Sequence, residues 1–377
     1  MRIALSFPGC HTRGGVERVV LECARFLSGR GHDITVFASE FDPAMPDQVH
    51  CAPVHISAHP TFFQGPSYQT NAGRAIAAGD FDVLNTHGCV CPVDGVHRVH
   101  SVHRAWLEYS KSFRKPFSAA RIKQLLNPLH PVLLRMEREH FGRRRYRKLI
   151  ALTEQVRDDL KRFYNVPEED VVVVPNGFAP SEFNPGRRQR ERAALRSKLG
   201  LSDDQFALLF VANELERKGY PAILDALSRL DDPSMILLVL GRTDERVVME
   251  HARQKGVEAQ VRYCGATRDV GAYHAASDLF VLPTQYEAFC LAILEALGSG
   301  LPVVTSNVPG ARDAIRPGMN GLLIEDPCSA SQLADAIDAF RRRDDLEDLA
   351  WKISASAVEY EWPAVLARYE EVLLKCA

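Results

Sequence analysis

The sequence predicts an α/β fold made of two doubly wound domains that face each other across a cleft. Short, continuously apolar segments rich in β-branched residues alternate with longer helical patterns, which is typical of parallel sheets covered by helices on both faces. The length of 377 residues is two to three times that of a typical domain. A cluster of turn-forming residues from Pro175 to Gly186 divides the chain into two halves of similar size.

Five strands are predicted in each half, and ligands are expected where parallel strands end. The predicted strands of the first half are Ile3–Phe7, Ile34–Ala38, Val83–Thr86, Leu149–Leu152 and Val171–Val174. Those of the second half are Ala207–Val211, Met235–Leu240, Val261–Cys264, Leu279–Leu282 and Val303–Thr305. The helices that matter most for function are predicted over Val16 to Ser28, Arg187–Leu199, a segment that begins near Phe289, and Trp362–Leu374.

The composition excludes several classes of protein. With 46% hydrophobic residues, 25% charged residues and a net charge of −2, the chain is neither disordered nor collagen-like. No apolar run reaches the ~18–20 residues that cross a bilayer. The nine cysteines are odd in number and show no repeated spacing, which favours a reducing compartment over a disulfide framework. We therefore predict a cytoplasmic protein.

Although the net charge of the chain is close to zero, one segment is strongly basic. Residues 104–148 carry 13 Lys and Arg against three Glu. Its cations are interleaved with aromatic and aliphatic residues, which favours association with an anionic membrane surface at the inner face of the cell membrane. Two alternatives are a solvated helix face and a channel for a phosphorylated acceptor sugar. Nucleic-acid binding is disfavoured because no recognised module accompanies the charge.

Gly14-Gly15 follows the first predicted strand and opens a helix. Glycine lets a ligand approach the backbone closely, and the free amides of a helix start attract anions or polar groups. The pair does not form the GxGxxG pattern of nicotinamide sites, and by itself it could be a plain connector.

Arg217 and Lys218 lie in the loop after the strand Ala207–Val211, just before a helix. Adjacent cations in that position suit a diphosphate, because a guanidinium binds two oxygens at once and an ammonium adds a point charge. A solvated surface pair is the alternative.

Glu287 and Glu295 follow the strand Leu279–Leu282. Glu287 is predicted in the loop, and the unpaired amides from Phe289 to Ala292 are predicted to bind phosphate. Either glutamate alone could be an ordinary surface carboxylate, so the strand–loop–helix context carries the prediction.

The spacing Glu287-x7-Glu295, between Leu282-Pro283 and residues 296–304, resembles the donor-site signature of retaining glycosyltransferases of family 4. The resemblance extends over nearly the whole chain and includes features of the lipopolysaccharide-core glucosyltransferases. Its other parts are Gly14 to Arg18, Asp82 to His87, Val99 to His103, Ile150 to Thr153, and Val174 to Phe178.

This resemblance implies the GT-B fold, with two Rossmann-like domains. It places an acceptor-binding domain at residues 1–184 and a nucleotide-sugar-binding domain at residues 185–358. The last helix, in residues 359–377, is expected to cross back onto the first domain.

The resemblance also implies roles for individual residues. Arg217 and Lys218 would neutralise the donor diphosphate, Glu295 would hold the ribose hydroxyls, and Gly15 would bring its amide to the donor. The implied donor-binding set is Gly14, Gly15, Arg217, Lys218, Glu287, Phe289, Cys290, Leu291 and Glu295. The implied catalytic set is Glu287, which binds the transferred sugar, His103, which contacts the sugar near the reacting centre, Lys218 and Arg217.

The resemblance further implies retention through same-face attack, in which the leaving phosphate accepts the proton of the acceptor. Because cations and helix amides can stabilise the leaving diphosphate, no metal cofactor is expected. The chain departs from the family pattern at Ala212-Asn213, where Gly-Arg is usual, at Cys290, where glycine is usual, and in a longer loop over residues 8–13. The missing cation leads to the expectation that Arg217 carries more of the phosphate charge.

Several weaker patterns in the sequence suggest other sites or functions. Asp80-Phe81-Asp82 is formally a DxD metal motif, but it precedes its strand and so lies away from the expected site. Cys89-Val90-Cys91 with neighbouring histidines suggests zinc but lacks a second ligand pair. His87 is either an acceptor-binding residue or a buried core histidine. Two other functions remain open, namely a nucleotide-sugar epimerase of GT-B fold and a non-catalytic nucleotide-sugar-binding protein.

Overall fold

The computed structural model describes residues 1–57, 60–89, 94–111 and 119–377. The chain divides into two units, the first formed by Met1–Asn176 with Trp362–Ala377 and the second by Gly177–Glu361. The divisions therefore fall after residues 176 and 361, whereas the sequence predicted domain boundaries after residues 184 and 358. The Pro- and Gly-rich cluster thus lies mainly within the second unit.

The first unit contains a seven-stranded parallel sheet with the strand order β5-β3-β1-β6-β7-β8-β9, and β2 pairs separately with β4. The order reverses between β1 and β6, so the loops that follow these two strands leave the sheet in opposite directions. The strands are β1 (Arg2–Ser6), β2 (Gly9–Cys10), β3 (Asp33–Ala38), β4 (Glu40–Phe41), β5 (Val49–Pro53), β6 (Val83–His87), β7 (Val96–Val99), β8 (Lys148–Ala151) and β9 (Val171–Val173).

Helices cover this sheet. They are α1 (Gly15–Gly29), α2 (Gln64–Ala77), α3 (His103–Tyr109), α4 (Ala119–Leu126), α5 (Leu129–Glu137) and α6 (Glu154–Tyr164). Helix α5 continues into a π-helical turn, Arg138–Gly142. Helix α6 is capped at both ends, since the Thr153 hydroxyl accepts from the amide of Val156 and Asn165 takes the left-handed conformation with φ 52°.

The second unit contains a six-stranded parallel sheet with the order β12-β11-β10-β13-β14-β15. The strands are β10 (Phe206–Val211), β11 (Met235–Leu240), β12 (Val261–Gly265), β13 (Leu279–Leu282), β14 (Val303–Ser306) and β15 (Gly321–Ile324). The helices are α7 (Pro185–Lys198), α8 (Tyr220–Leu230), α9 (Glu245–Gln254), α10 (Val270–Ala276), α11 (Leu291–Gly298), α12 (Pro309–Ala314), α13 (Ala330–Arg341) and α14 (Leu346–Ala355).

The strand order of the second sheet reverses between β10 and β13, which are neighbours. The loop after β10 leads to α8 on one side, and the loop after β13 leads to α11 on the other. Such a reversal opens a crevice at the carboxyl ends of the strands, which is where α/β sheets bind ligands. Arg217, Lys218 and Glu287 lie in these two loops.

The C-terminal helix α15 (Trp362–Leu374) belongs to the first unit, and its bounds match the predicted helix. Its Tyr369 hydroxyl donates to the Asn85 side chain at 2.9 Å, and the Glu370 carboxylate pairs with His32 at 2.8 Å. These contacts join the end of the chain to strand β6 and to the turn before β3.

Candidate active site

The loop between β10 and α8 is joined to the end of β13 by main-chain contacts. The Arg217 carbonyl accepts from the amide of Gln285 at 2.9 Å and from the Thr284 hydroxyl at 3.3 Å. Gly219 has a φ of +84°, and a Cβ at this position would collide with the Pro283 carbonyl. Glycine is therefore required here for both conformation and space, and the two loops are held side by side.

The Arg217 guanidinium is largely engaged within the protein. It donates to both oxygens of Glu214 at 3.0 and 2.8 Å, to the Tyr286 carbonyl at 2.7 Å and to Glu287 at 3.0 Å. Burial works to lower the pKa of Arg217, but the hydrogen bonds and charges of Glu214 and Glu287 raise it overall. Four of the five N–H groups of an arginine are thus in use, which leaves one for an external ligand.

Lys218 forms the second contact of Glu287, since its ammonium donates to the same carboxylate oxygen that Arg217 contacts. The side chains of Lys218 and Glu287 are 15% and 13% exposed. Burial works to lower the pKa of Lys218, while Cys290 and Glu287 act to raise it, and the net shift is upward. Because burial also raises the pKa of the Cys290 thiol and keeps it neutral, we attribute the upward shift of Lys218 to Glu287.

Helix α11 begins at Leu291, two residues after the predicted start near Phe289. Its N-cap is Cys290, whose side chain makes no capping hydrogen bond, so the first amides of the helix have no side-chain cap among the described residues. The amides of Ala292 and Ile293 lie near enough to the Cys290 thiol to act on its pKa. The loop before it is held by Gly310, where a Cβ would lie 2.6 Å from the Phe289 Cα. An anion placed at this helix start would meet both the free amides and the positive end of the helix dipole.

Glu295 lies in the second turn of α11 and is 7% exposed. The Phe289 ring packs at 6.1 Å from the Tyr360 ring. The second unit therefore carries seven of the nine predicted donor-binding residues on two neighbouring loops and one helix. Gly14 and Gly15 belong to the first unit.

Gly15 is the first residue of α1, and Gly14 is its N-cap without a side-chain capping bond. A Cβ at Gly15 would meet nothing within 4 Å, whereas a Cβ at Gly14 would collide with the Glu17 carboxylate. The space beside Gly15 is thus not filled by the residues that the structure describes, which suits the predicted approach of a ligand to its amide.

His87 ends strand β6 and is fully buried. Its Nδ1 lies 3.0 Å from Nε2 of His100, with the two rings stacked, and its Nε2 has no hydrogen-bond partner among the described residues. Burial, with the charges of His100 and Arg98, holds the pKa of His87 well below its usual range. Burial likewise lowers the pKa of His100 to about 3.

His103 is the first residue of α3 and does not contact His87. Its Nε2 lies 3.1 Å from Nδ1 of His130, and its ring stacks on Trp106 at 5.5 Å. Burial, followed by the charge of His130, lowers the pKa of His103 to about 4. His103 is therefore neutral at neutral pH and acts as a hydrogen-bonding group rather than as a cation.

Glu137 of α5 fixes the start of α3 and was not found from the sequence. Its carboxylate accepts from the amides of His103 and Arg104 and from the Tyr164 hydroxyl, the latter at 2.6 Å. Burial raises the pKa of Glu137, although these hydrogen bonds oppose the shift. Because Glu137 and His103 are 34 positions apart, no local pattern could have indicated this contact.

Neither the DxD motif at residues 80–82 nor the cysteine pair at residues 89–91 forms a metal site among the described residues. Asp80 and Asp82 both pair with Arg2, at 2.5 and 3.1 Å. Cys91 of the proposed zinc set lies outside the described residues. Within the described ranges, no group of three or more His, Cys, Asp or Glu could hold a metal ion.

Two family models match the chain, one in each half. Residues 13–182 match the model described as Glycosyltransferase Family 4, and residues 191–352 match the model described as Glycosyl transferases group 1. The chain is therefore a glycosyltransferase whose first half matches family 4 and whose second half matches group 1. The resemblance found in the sequence is thereby confirmed.

Individual relatives of this glycosyltransferase cover most of its length. It is 26% identical over 330 residues to the lipopolysaccharide glucosyltransferase WaaG of Escherichia coli K12, which covers 86% of this chain and 85% of WaaG. It is 27% identical over 389 residues to the phosphatidyl-myo-inositol mannosyltransferase of Mycobacterium leprae, which covers 99% and 96% of the two chains.

Solved structures share the fold of this glycosyltransferase. The crystal structure of WaaG superimposes with a TM-score of 0.85 at 22% identity and covers 98% of this chain and 99% of WaaG. Anabaena HepE in complex with UDP-glucose superimposes with a TM-score of 0.74 at 18% identity, with 100% of both chains covered. The predicted GT-B fold is therefore confirmed.

Proposed function

We propose that this glycosyltransferase transfers a hexose, with retention of configuration, from a nucleotide-diphosphate sugar to a glycan or lipid-linked saccharide in the synthesis of lipopolysaccharide or another cell-surface polysaccharide. The observation that carries the proposal is the joint contact of Arg217 and Lys218 with Glu287, beside the free amides of α11. Cations for a diphosphate and a carboxylate for sugar hydroxyls thus lie within one hydrogen bond of each other.

Lys218 provides most of the side-chain charge for the leaving diphosphate. The Arg217 guanidinium has one N–H group left, whereas the Lys218 ammonium, with three donors, has one contact to Glu287. This reverses the expectation that Arg217 carries more of the phosphate charge. Free amides of α11 add donors that need no reorganisation, so negative charge on the leaving group is stabilised without a metal.

Glu287 has two roles in this proposal. Before the donor binds, its carboxylate compensates the charge of the two cations and holds them in place. When the diphosphate binds, the phosphate oxygens take over part of this compensation, and Glu287 can accept hydrogen bonds from hydroxyls of the transferred sugar. A carboxylate near the sugar also favours the oxocarbenium-like character of the transition state.

The first unit supplies the acceptor side of the reaction. His103 and His87 are held neutral by burial, and neutral imidazoles suit hydroxyl groups, which both donate and accept hydrogen bonds. Gly15 offers an amide with open space beside it. Retention is proposed to follow same-face attack, with the leaving phosphate accepting the proton of the acceptor hydroxyl.

The basic segment 104–148 is proposed to bring the enzyme to an anionic membrane surface on the cytoplasmic side. In α4, Leu125 and Leu126 are 76% and 77% exposed and lie next to Arg121 and Lys123, and Phe113 and Phe117 lie outside the described residues. Within the described ranges, no helix is long and apolar enough to span a bilayer.

A Leu125→Ser, Leu126→Ser variant should lose binding to phosphatidylglycerol vesicles, whereas Val358→Ser, an exposed apolar control, should keep it.

The experiment that tests the proposed function is product analysis after a thermal-shift screen of nucleotide sugars. A nucleotide sugar at 100 times its Kd should stabilise the protein by about 2.7 kcal/mol. With acceptor glycan present, the stabilising donor should yield a new glycoside with the anomeric configuration of the donor, read by NMR. Free nucleotide and an epimerised sugar without acceptor would instead indicate an epimerase, and binding without turnover would indicate a non-catalytic protein.

A further inference from the structure

A polar cavity of about 490 Å³ opens in the first unit between α3, the end of α5 and the C-terminal end of α6. None of the predicted donor-binding residues lines it, and neither does the predicted acceptor-binding residue His87. The residues that determine its chemistry are Arg104, Arg138, Arg162, Phe163, Tyr164 and Asn165.

The three arginines of this cavity make no ion pair among the described residues, although the carboxylates of Glu108, Glu137 and Asp159 lie close enough to interact with the charge of Arg104 or Arg162. No carboxylate pairs with the side chain of Arg104, Arg138 or Arg162 among the described residues, and none lines the cavity. Neighbouring cations behave differently, since Arg143 pairs with Glu139 at 2.8 Å and Lys111 with Glu108 at 2.7 Å. Three guanidiniums that line one cavity and form no ion pair among the described residues can bind an oxyanion.

The remaining lining suits a ligand larger than a free anion. The Arg162 guanidinium lies 4.8 Å from the centre of the Phe163 ring, which limits its freedom. The amide side chain of Asn165 makes no hydrogen bond within the described residues, and its backbone is fixed by the left-handed turn that ends α6. The cavity therefore offers cations for a phosphate, an amide for hydroxyls and an aromatic ring for an apolar face.

We propose that this cavity binds a phosphorylated sugar through the guanidiniums of Arg104, Arg138 and Arg162. The volume falls within the range of small-molecule sites, well above what a single phosphate fills. Binding here does not depend on glycosyl transfer, because the cavity lies wholly in the first unit and the cations of the proposed donor site lie in the second.

Occupancy of the cavity has a direct structural link to His103. The Glu137 carboxylate accepts from the amides of both His103 and Arg104 and from the hydroxyl of Tyr164, which lines the cavity. A ligand that draws Arg104 and Tyr164 into one arrangement therefore also fixes the start of α3. A phosphate on the acceptor saccharide would in this way select acceptors and position His103.

The test is a calorimetric titration of the full chain with glucose 6-phosphate, in a Lys218→Gln background that removes the main cation of the proposed donor site. Arg138→Gln and Arg162→Gln should each weaken binding at least tenfold. Lys161→Gln changes the same charge on the same helix, where Lys161 is exposed and outside the cavity, and should change the Kd by less than twofold. Binding should also weaken as salt is raised.

Three outcomes would overturn the proposal. One is the absence of saturable glucose 6-phosphate binding by the Lys218→Gln protein, and another is an equal loss in the Lys161→Gln control. The third is that Arg138→Gln and Arg162→Gln weaken binding to phosphatidylglycerol vesicles but leave the Kd of glucose 6-phosphate unchanged, which would assign these arginines to a membrane surface. Loss of glycosyl transfer has no bearing on these readouts, so failure of the proposed function is distinguishable.

Discussion

The two units place very different polar groups at the carboxyl ends of strands in two similar parallel sheets. In the second unit, the loops after β10 and β13 carry Arg217, Lys218 and Glu287, which compensate one another's charge. In the first unit, His87 ends β6, and His100 and His103 follow β7, and burial holds all three neutral. In the proposed function, this difference suits one sheet to a charged ligand and the other to a neutral, hydroxyl-rich one.

Physical chemistry explains this difference. A nucleotide diphosphate carries charges that must be met by cations and oriented amides, and these cations need a carboxylate to be stable in the free enzyme. A sugar hydroxyl needs a group that can donate or accept without a net charge, which neutral imidazole provides. We therefore expect substitutions in the second unit to alter nucleotide binding and those in the first unit to alter turnover at constant nucleotide binding.

The largest expected effect comes from Lys218→Ala and Glu287→Ala, each of which should lower kcat for glycosyl transfer at least about a thousandfold, or about 4 kcal/mol. Their nucleotide affinities should move in opposite directions. Lys218→Ala removes a cation and should weaken binding of the nucleoside diphosphate. Glu287→Ala removes the carboxylate that Lys218 contacts and one of the two that Arg217 contacts, and should strengthen that binding.

Transfer kinetics measure kcat, and calorimetric titrations with the nucleoside diphosphate of the identified donor measure the nucleotide affinity. Lys255→Ala is a suitable control, because this exposed lysine of the second unit also pairs with a carboxylate, Asp225. Near-normal turnover in both site variants, with the fold intact by circular dichroism, would show that the site has been assigned to the wrong residues.

In the first unit, Glu137→Gln should lower kcat about a hundredfold, or about 2.7 kcal/mol, and leave the nucleotide Kd unchanged. The two Glu137 oxygens accept from the amides at the start of α3. Glutamine puts an NH₂ donor in place of one of these oxygens, so His103 loses its fixed position. Glu139→Gln, two residues along and paired with the exposed Arg143, is the matched control and should keep full turnover. A change in nucleotide Kd in Glu137→Gln would contradict the division of roles between the units.

The packing of the donor loops can be tested with Gly219→Ala, which should destabilise the protein by about 2 kcal/mol or more. The substitution combines a left-handed backbone with a Cβ that collides with the Pro283 carbonyl. Gly256→Ala has a similar φ of +71° but meets nothing within 4 Å, so its cost should stay near 1 kcal/mol. Urea unfolding of both variants measures the difference, and equal losses would show that the close approach to Pro283 has no energetic weight.

The smallest effect concerns the pH dependence of stability. The pKa values of His100 in the first unit and His274 in the second are both lowered by burial to about 3. As the pH falls below about 6.5, the unfolded chain binds protons that the folded chain does not, so each histidine lowers the free energy of unfolding by about 1.4 kcal/mol per pH unit. This loss continues until the pH reaches the folded pKa.

Gln cannot take up a proton, so His100→Gln and His274→Gln should each reduce the slope of unfolding free energy against pH by that amount. Urea unfolding between pH 5.5 and 4.5, where the histidines of the unfolded chain are already largely protonated, measures the slope, and the double variant should show the sum. A slope identical to that of the unsubstituted protein would mean that the histidine is protonated in the folded state.

Local patterns predicted much of the fold. Met235–Leu240 and Leu279–Leu282 match the observed strands, because short, continuously apolar runs are typical of strands buried on both faces. Strand β7, Val96–Val99, was missed because it contains His97 and Arg98, which are polar and nevertheless buried. Arg98 donates to the Pro175 carbonyl at 2.6 Å and lies over the Tyr369 ring, and both partners are far away in the sequence.

The candidate site divides in the same way. The positions of Lys218 and Glu287 in loops after strands could be predicted, since strand ends and turn residues are local signals. The ion pair between them could not, because the two residues are 69 positions apart and meet only once β10 and β13 are neighbours. The hydrogen bonds of Arg217 to Tyr286 and Glu287 could not be predicted either, because both partners come from the second loop.

The most direct test of the account is the affinity of a nucleoside diphosphate for the full chain with Lys218→Gln, beside Lys255→Gln as the control. With UDP, ADP and GDP titrated in turn, the nucleotide that binds the unsubstituted enzyme should bind Lys218→Gln at least tenfold more weakly, a loss of about 1.4 kcal/mol, and Lys255→Gln unchanged. Unchanged affinity in Lys218→Gln would contradict the claim that the loops after β10 and β13 hold the donor diphosphate.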